Sequence, residues 1–367
     1  MIYLDYSATT PTNDDVLEHF CKINKSFFAN PNSNYKIGTM ANKEINNSTN
    51  KIKEILKLRD HEIIYTSGSS ESNNLAIKGS VLRNKSAHII TTNFEHSSVI
   101  APINYLQIHG FEVDIVDNNN KGIIEIEALE KLIKSNTTLI SITAVNSEIG
   151  IIEPIEEIGA YLKEKHPNII FHVDLTQLIT KKKIDLTNID LASISAHKFY
   201  GLKGIGCLIK RKNLKLEPQI QGGKSTTIYR SGTPPTSLIS SLAKSLELTY
   251  QDIEEKYNYV NDLSKYLKGK LANIPNLRIN STDECLPHII NFSLIGKAPN
   301  QVQKYLADRE IYISTKTACS SDTAISNSVY SLTKDKERAS SSLRVSISHL
   351  TTKEEIDIFI EKLKELR

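Results

Sequence analysis

The sequence predicts an α/β fold: a large, doubly wound, mostly parallel sheet with helices on both faces, followed by a smaller α+β domain. Three observations carry this. Up to residue 209, short apolar runs alternate with amphipathic helical patterns, the signature of strands joined by crossover helices. At 367 residues the chain is long enough for two domains and a large buried core. After residue 235 the pattern changes to that of a separate unit of mixed strands and helices.

The predicted strands of the sheet are, in order, residues 62–65 (Glu-Ile-Ile-Tyr), 87–90 (Ala-His-Ile-Ile), 139–142 (Leu-Ile-Ser-Ile), 169–171 (Ile-Ile-Phe), 191–194 (Leu-Ala-Ser-Ile) and 206–209 (Gly-Cys-Leu-Ile). Short, apolar and bounded by polar residues, they fit strands covered on both faces. Five run into polar punctuation: Ser67-Gly-Ser-Ser-Glu71, Asn93-Phe-Glu-His96, Asn146-Ser-Glu148, Asp174-Leu-Thr-Gln177 and Ser195-Ala-His-Lys198. Ligands of such sheets gather beyond the C-terminal strand ends, so the five segments are expected around one active site. Past Arg230-Ser-Gly-Thr-Pro-Pro235, residues 237 to about 271 read as one long helical stretch. In the smaller domain, 288–292 and 343–347 read as strands and 300–308 and 353–366 as helices. The polar Ser314-Thr-Lys-Thr-Ala-Cys-Ser-Ser-Asp322 reads as a loop. No internal repeat or low-complexity tract is present.

Composition narrows the function. The formal charge of +3, from 45 basic and 42 acidic residues, gives no sign of a nucleic-acid or membrane partner. Lys181-Lys-Lys183 and Lys210-Arg-Lys212 read as solvated faces. Cys21, Cys207, Cys285 and Cys319 form no CxxC pair and have no histidines at metal-ligand spacing, so neither a disulfide framework nor a metal site is expected. The N-terminus lacks a basic region followed by an apolar stretch, and no apolar run approaches about 18 residues. A cytoplasmic protein with reduced thiols is expected. Pro218-Gln-Ile-Gln-Gly-Gly-Lys-Ser225 imitates a nucleotide-binding phosphate loop. It lacks the first glycine, and the prolines at 234 and 235 prevent the helix that such a loop requires.

The strand-end residues point to pyridoxal phosphate. That cofactor needs a lysine for covalent attachment, a carboxylate to hold its pyridinium proton and amides for its phosphate. Lys198 supplies the first, Asp174 the second, and the strand-to-helix turn Thr66-Ser-Gly-Ser-Ser-Glu-Ser-Asn-Asn74 the third, with Ser69 and Ser70 adding hydroxyls. His96 suits a group that stacks on the cofactor ring or moves a proton. Asn146 and Gln177 suit contacts to its phenolic oxygen. Cys319, flanked by Ser, Thr and Ala, fits either an accessible nucleophilic thiolate or an incidental exposed cysteine; the other three cysteines read as packing residues. Arg344, in an apolar strand, needs a partner. A substrate carboxylate and a structural ion pair serve equally.

Taken together, Tyr3-Leu-Asp-Tyr-Ser-Ala-Thr-Thr-Pro11, residues 62–79, Asn93-Phe-Glu-His96, Val145-Asn-Ser-Glu-Ile-Gly150, His172-Val-Asp-Leu-Thr-Gln177, Ser195-Ala-His-Lys198, Arg230-Ser-Gly-Thr233 and Ser342-Leu-Arg344 resemble, in order, the cysteine desulfurases of the NifS/IscS type. The resemblance runs through essentially the whole chain. It implies fold type I of the pyridoxal-phosphate transferases, with a seven-stranded sheet. The large cofactor-binding domain would span 15–255; 1–14 and 256–367 would form the small domain carrying the Cys319 loop. It also implies that Lys198 anchors the cofactor, Asp174 holds the pyridinium, Gln177 and Asn146 contact it and His96 covers the ring. Ser70, Ser195 and His197 would hold the phosphate, joined by Thr233 from the partner of a homodimer. Arg344 would bind the carboxylate of L-cysteine, and Cys319 would take its sulfur as a persulfide, leaving alanine.

Some positions depart from the family pattern: Ser69 stands for its alanine, Tyr35 for a histidine, and Lys224 and Thr226 for a glycine and a glutamate. The competing expectations are another enzyme of the same fold, such as a selenocysteine lyase or aminotransferase, and a non-enzymatic scaffold protein. For the sulfur acceptor, the chain ends 23 residues after Arg344, without the longer docking segment of relatives that load an iron–sulfur scaffold. The Cys319 loop is similar to that of paralogues feeding a tRNA thiouridine-synthesis protein. That acceptor is therefore expected over a general iron–sulfur scaffold.

Overall fold

The computed structural model describes residues 1–315 and 325–366. After β1 (Ile2–Tyr3), the chain builds a seven-stranded sheet from β2 (His61–Thr66), β3 (His88–Thr92), β4 (Glu112–Val116), β5 (Thr137–Thr143), β6 (Ile170–Asp174), β7 (Leu191–Ser195) and β8 (Gly206–Arg211). The order across it is β2-β8-β7-β6-β5-β3-β4. Strands β3 to β7 pair parallel, while β8 is antiparallel to both β7 and β2. Between β7 and β8 lies only the short turn Ala196–Lys198. Without a crossover helix the chain has to return antiparallel.

Alternation along each strand divides the core between two faces. Ile140, Ile142, Phe171, Val173, Ala192 and Ile194 join one apolar cluster, together with Ile239, Leu242 and Leu246 of the helix Thr236–Tyr250. The odd-parity neighbours Leu139 and Leu191 join clusters on the other face, under the helices Ser69–Val81 and Ser97–Ile108. Strand β4 is absent from the sequence reading. It is the edge strand, and in its Glu112-Val-Asp-Ile-Val116, which alternates polar with apolar residues, only Val116 is buried.

The remaining strands are β9 (Leu277–Ile279), β10 (Ile289–Leu294), β11 (Ile311–Tyr312) and β12 (Ser342–Ser346). They form an antiparallel sheet in the order β12-β10-β9 and a two-stranded parallel pair β1-β11. A separate apolar cluster covers them, drawing Ile2 and Leu4 together with Phe292, Val345, Leu267 and Phe359. Strands of two or three residues carry too little pattern to be read from sequence, so β1, β9 and β11 were not expected.

Three expectations are corrected. The stretch from 237 to 271 is two helices, Thr236–Tyr250 and Ile253–Leu271, broken where Asp252 adopts φ +55°. Aspartate tolerates that left-handed conformation, so no glycine or proline marks the break. Lys256 Nζ donates to Leu248 O and Gln251 O there and closes the first helix. Neither lysine run is wholly a solvated face. Lys210 is fully buried and pairs with Glu62 at 2.7 Å, and Lys181 Nζ donates to Gln177 Oε1 at 3.0 Å. Finally, Cys207 and Cys285 are buried as packing residues, but Cys21 is exposed.

Candidate active site

The C-terminal ends of β2, β3, β5, β6 and β7 open onto a cavity of about 170 Å³, closed on its other side by Ser7, Ala8 and Arg344. Parallel strands deliver their following loops to one edge, and the link from β1 through Asp5 to Ser346 brings the N-terminal segment over it.

At one end the helix Ser69–Val81 begins directly after β2, with Gly68 at the cap position and no side chain bonding its first N–H groups. Ser69 and Ser70 line the cavity. Free amides at the positive end of a helix suit a phosphate. Glu71 in that first turn is held by Arg230 Nε at 2.9 Å and by Ser67 N at 2.7 Å. Gly68 and Gly206 permit a close approach of turn and strand, since a side-chain carbon on Gly206 would sit 2.7 Å from Gly68 Cα and one on Gly68 would lie 3.3 Å from Ser195 Oγ. Ser195 is buried behind this turn and is not part of the cavity wall.

At the other end, Asp174 is buried; Oδ1 accepts from Thr176 N at 2.9 Å and Oδ2 from Asn73 Nδ2 at 2.8 Å. Asn73 Nδ2 also donates to Ser98 Oγ, which lies 2.8 Å from His96 Nδ1. That His96 nitrogen accepts from Ser98 N as well, so the neutral ring carries its proton on Nε2. Burial, followed by smaller charge effects, lowers the His96 pKa and keeps the ring neutral. Neither Asn73 nor Ser98 was singled out from the sequence. A fully buried asparagine within a helix is their one available signal, and burial is invisible there.

Lys198 Nζ donates to Ser7 O at 2.6 Å and Ala8 O at 2.9 Å, and Gln177 Nε2 donates to the same Ser7 carbonyl at 3.0 Å. His197 Nδ1 lies 3.1 Å from Thr9 Oγ1. Burial, reinforced by Lys198, pushes its pKa down to about 4. Arg344, 1% exposed on β12, donates from Nη2 to Asp5 Oδ1 at 2.7 Å and from Nη1 to Ser147 O at 2.8 Å. It lines the cavity while held in an ion pair with Asp5.

Besides Ser195, two expected contacts are not brought to the cavity. Asn146 is buried behind the wall, with Nδ2 donating to Phe94 O and Ser328 Oγ and Oδ1 accepting from Glu148 N and Ile149 N. Thr233 is exposed on the surface. Cys319 lies outside the described residues.

The cavity fits pyridoxal phosphate. Besides the lysine amine, the buried carboxylate and the uncapped helix start, its walls carry buried polar atoms that find no partner among the described residues: Ser7 Oγ, Thr176 Oγ1 and Arg344 Nε. Such atoms call for a polar ligand.

Comparison with known proteins agrees. Residues 2–359 match the aminotransferase class-V family. The chain is 36% identical over 374 residues to the cysteine desulfurase IscS of Clostridium botulinum, covering all of this chain and 94% of that one. A NifS-like protein of known structure superposes with a TM-score of 0.93 at 31% identity, over 100% of this chain and 98% of that one. The structure of SspA in complex with cysteine superposes at 0.83 and 31% identity, over 96% and 100% of the two chains.

Proposed function

The chain belongs to the aminotransferase class-V family, and on that footing we propose that it is a cysteine desulfurase. It converts L-cysteine to L-alanine, passes the sulfur to Cys319 as a persulfide and hands it on to an acceptor protein. The observation that carries this is convergence. Lys198, Asp174, the uncapped start of Ser69–Val81 and Arg344 come from separate elements to border one cavity, in a chain whose full-length relatives are named for this activity.

When bound, pyridoxal phosphate supplies an electron sink at the substrate's α-carbon. The protein supplies the rest. Lys198 Nζ anchors the cofactor and then moves the α-proton. Asp174, held by Asn73 and the Thr176 amide, keeps the ring-nitrogen proton. His96 presents Nε2–H, and Arg344 takes the substrate carboxylate in exchange for part of its bond to Asp5. Cys319 thiolate accepts the sulfur, so that cysteine and one protein thiol become alanine and one protein persulfide, with all atoms balanced.

The finer parts of this reading rest on the sequence. The apolar cluster that joins Ile2 and Leu4 to residues between Val260 and Leu363 supports a small domain over 1–14 and 256–367 beside a large one over 15–255, with Leu286 and Ile289 packing into the large domain's cluster. Exposed Thr233 is available to the phosphate cradle of a second copy in a homodimer. The loop sequence around Cys319 favours a thiouridine-synthesis protein as acceptor. Faster persulfide transfer to an iron–sulfur scaffold would reverse that choice.

The test is to measure alanine from L-cysteine without added keto acid, in wild type and Cys319→Ala. Wild type should turn over repeatedly and the variant should lose turnover. Alanine formation that survives intact in Cys319→Ala would favour a lyase without a persulfide step. Requirement for a keto acid would favour an aminotransferase.

A further inference from the structure

Lys198 borders a second, smaller hollow of about 30 Å³. Its other walls include Lys181, Lys256, His288 and His349, with Tyr6 and Tyr200. No carboxylate lines it among the described residues. The two lysine ammonium groups are held only by neutral acceptors: Lys181 by Gln177 Oε1 at 3.0 Å, Lys256 by Leu248 O at 3.1 Å and Gln251 O at 2.8 Å. Neither makes an ion pair among the described residues. His288 is 8% exposed, and its Nδ1 is buried without a hydrogen-bond partner among the described residues.

Half-buried cations with no counter-charge, beside a buried imidazole nitrogen with no partner, lack an anion. A water needs roughly 10–15 Å³ of such space, so the hollow of about 30 Å³ admits a species of two or three water volumes. We propose that this hollow is a binding site for one halide-sized monovalent anion, held by Lys181, His288 and Lys256.

The electrostatics are consistent with it. Burial, with Lys198 and Arg344 adding repulsion, pushes Lys181 down to about 7. Burial and then Lys181 and His349 push His288 well down, and burial with Lys256 pushes His349 to about 4. Glu355 acts on Tyr6 from the rim. An anion would let Lys181 stay charged. Through the Lys181–Gln177 bond it would also steady the Ser7 carbonyl that Gln177 and Lys198 share.

Bromide is the probe. Crystals of the holoenzyme soaked in sodium bromide should show an anomalous peak within bonding distance of Lys181 and His288. In solution, bromide at 100 times its Kd should shift the unfolding equilibrium about 100-fold relative to sodium gluconate of equal ionic strength. Lys181→Met should weaken that effect at least about 10-fold, the loss of roughly one charge-assisted hydrogen bond. Water-like density without anomalous signal would overturn the proposal, as would bromide found only at surface lysines. Full halide stabilisation in Lys181→Met would overturn it too. If that variant does not fold, diffraction from the wild type decides alone.

Discussion

Arg344 answers to two carboxylates. It pairs with Asp5, and its Nε is buried without a hydrogen-bond partner among the described residues. A substrate carboxylate would complete its fork. Arg344→Ala should therefore raise KM for cysteine about 10–100-fold, the equivalent of about 1.5–3 kcal/mol for hydrogen bonds to a charged group. Arg344→Lys should recover only part of this, because a point charge cannot bond in two directions. Unchanged KM in a folded Arg344→Ala would leave it as a purely structural ion-pair residue. Lys198→Ala should abolish turnover and remove borohydride trapping of the cofactor, since no other lysine among the described residues lines the cavity. Trapping that persists would reassign the anchor to a lysine other than Lys198. At this scale the sequence was legible where a polar residue ends an apolar strand, as at Asp174 and Lys198. It was silent on Ser7, whose carbonyl meets Lys198 across 191 residues, because nothing local announces a long-range backbone contact.

At the scale of elements, the helix Ser69–Val81 does two things. Its start borders the phosphate end of the cavity, and Asn73, one turn in, ties Asp174 to Ser98 and so to His96. Asn73→Ala should leave Asp174 short of a donor and cost about 1–3 kcal/mol of stability, with weaker cofactor binding measured by dialysis. Cofactor affinity equal to wild type would mean that this bridge only supports the fold. Glu153 gives a pH test. It is buried between Asn118 Nδ2 and Ile124 N, and burial raises it from 4.5 to about 7. A carboxyl raised on folding stabilises below its unfolded pKa and loses that contribution as pH rises through the folded one. Glu153→Gln, which cannot ionise, should gain on wild type between pH 5 and 8 by on the order of 3 kcal/mol, at about 1.4 kcal/mol per pH unit. A stability difference independent of pH would place the Glu153 pKa at an ordinary value. Core strands were legible because two covered faces force an apolar run. The edge strand β4 was not, nor was the helix break at Asp252.

For the whole molecule, the N-terminal segment is what closes the site. β1 pairs with β11, Asp5 bridges to Ser346 and pairs with Arg344, and Ser7 and Ala8 meet Lys198. The doubly wound architecture and the edge that carries the site were legible from strand spacing and strand-end residues. The closure was not, because it joins the two ends of the chain. The central claim concerns where the sulfur goes. It is tested most directly by one turnover with L-cysteine carrying a heavy sulfur isotope, followed by mass spectrometry of the protein's peptides without reductant. The account predicts one heavy sulfur added to the Cys319 peptide, with alanine in equal amount. Heavy sulfur on Cys21, Cys207 or Cys285 in its place, or alanine formed with no sulfur retained on the protein, would contradict it.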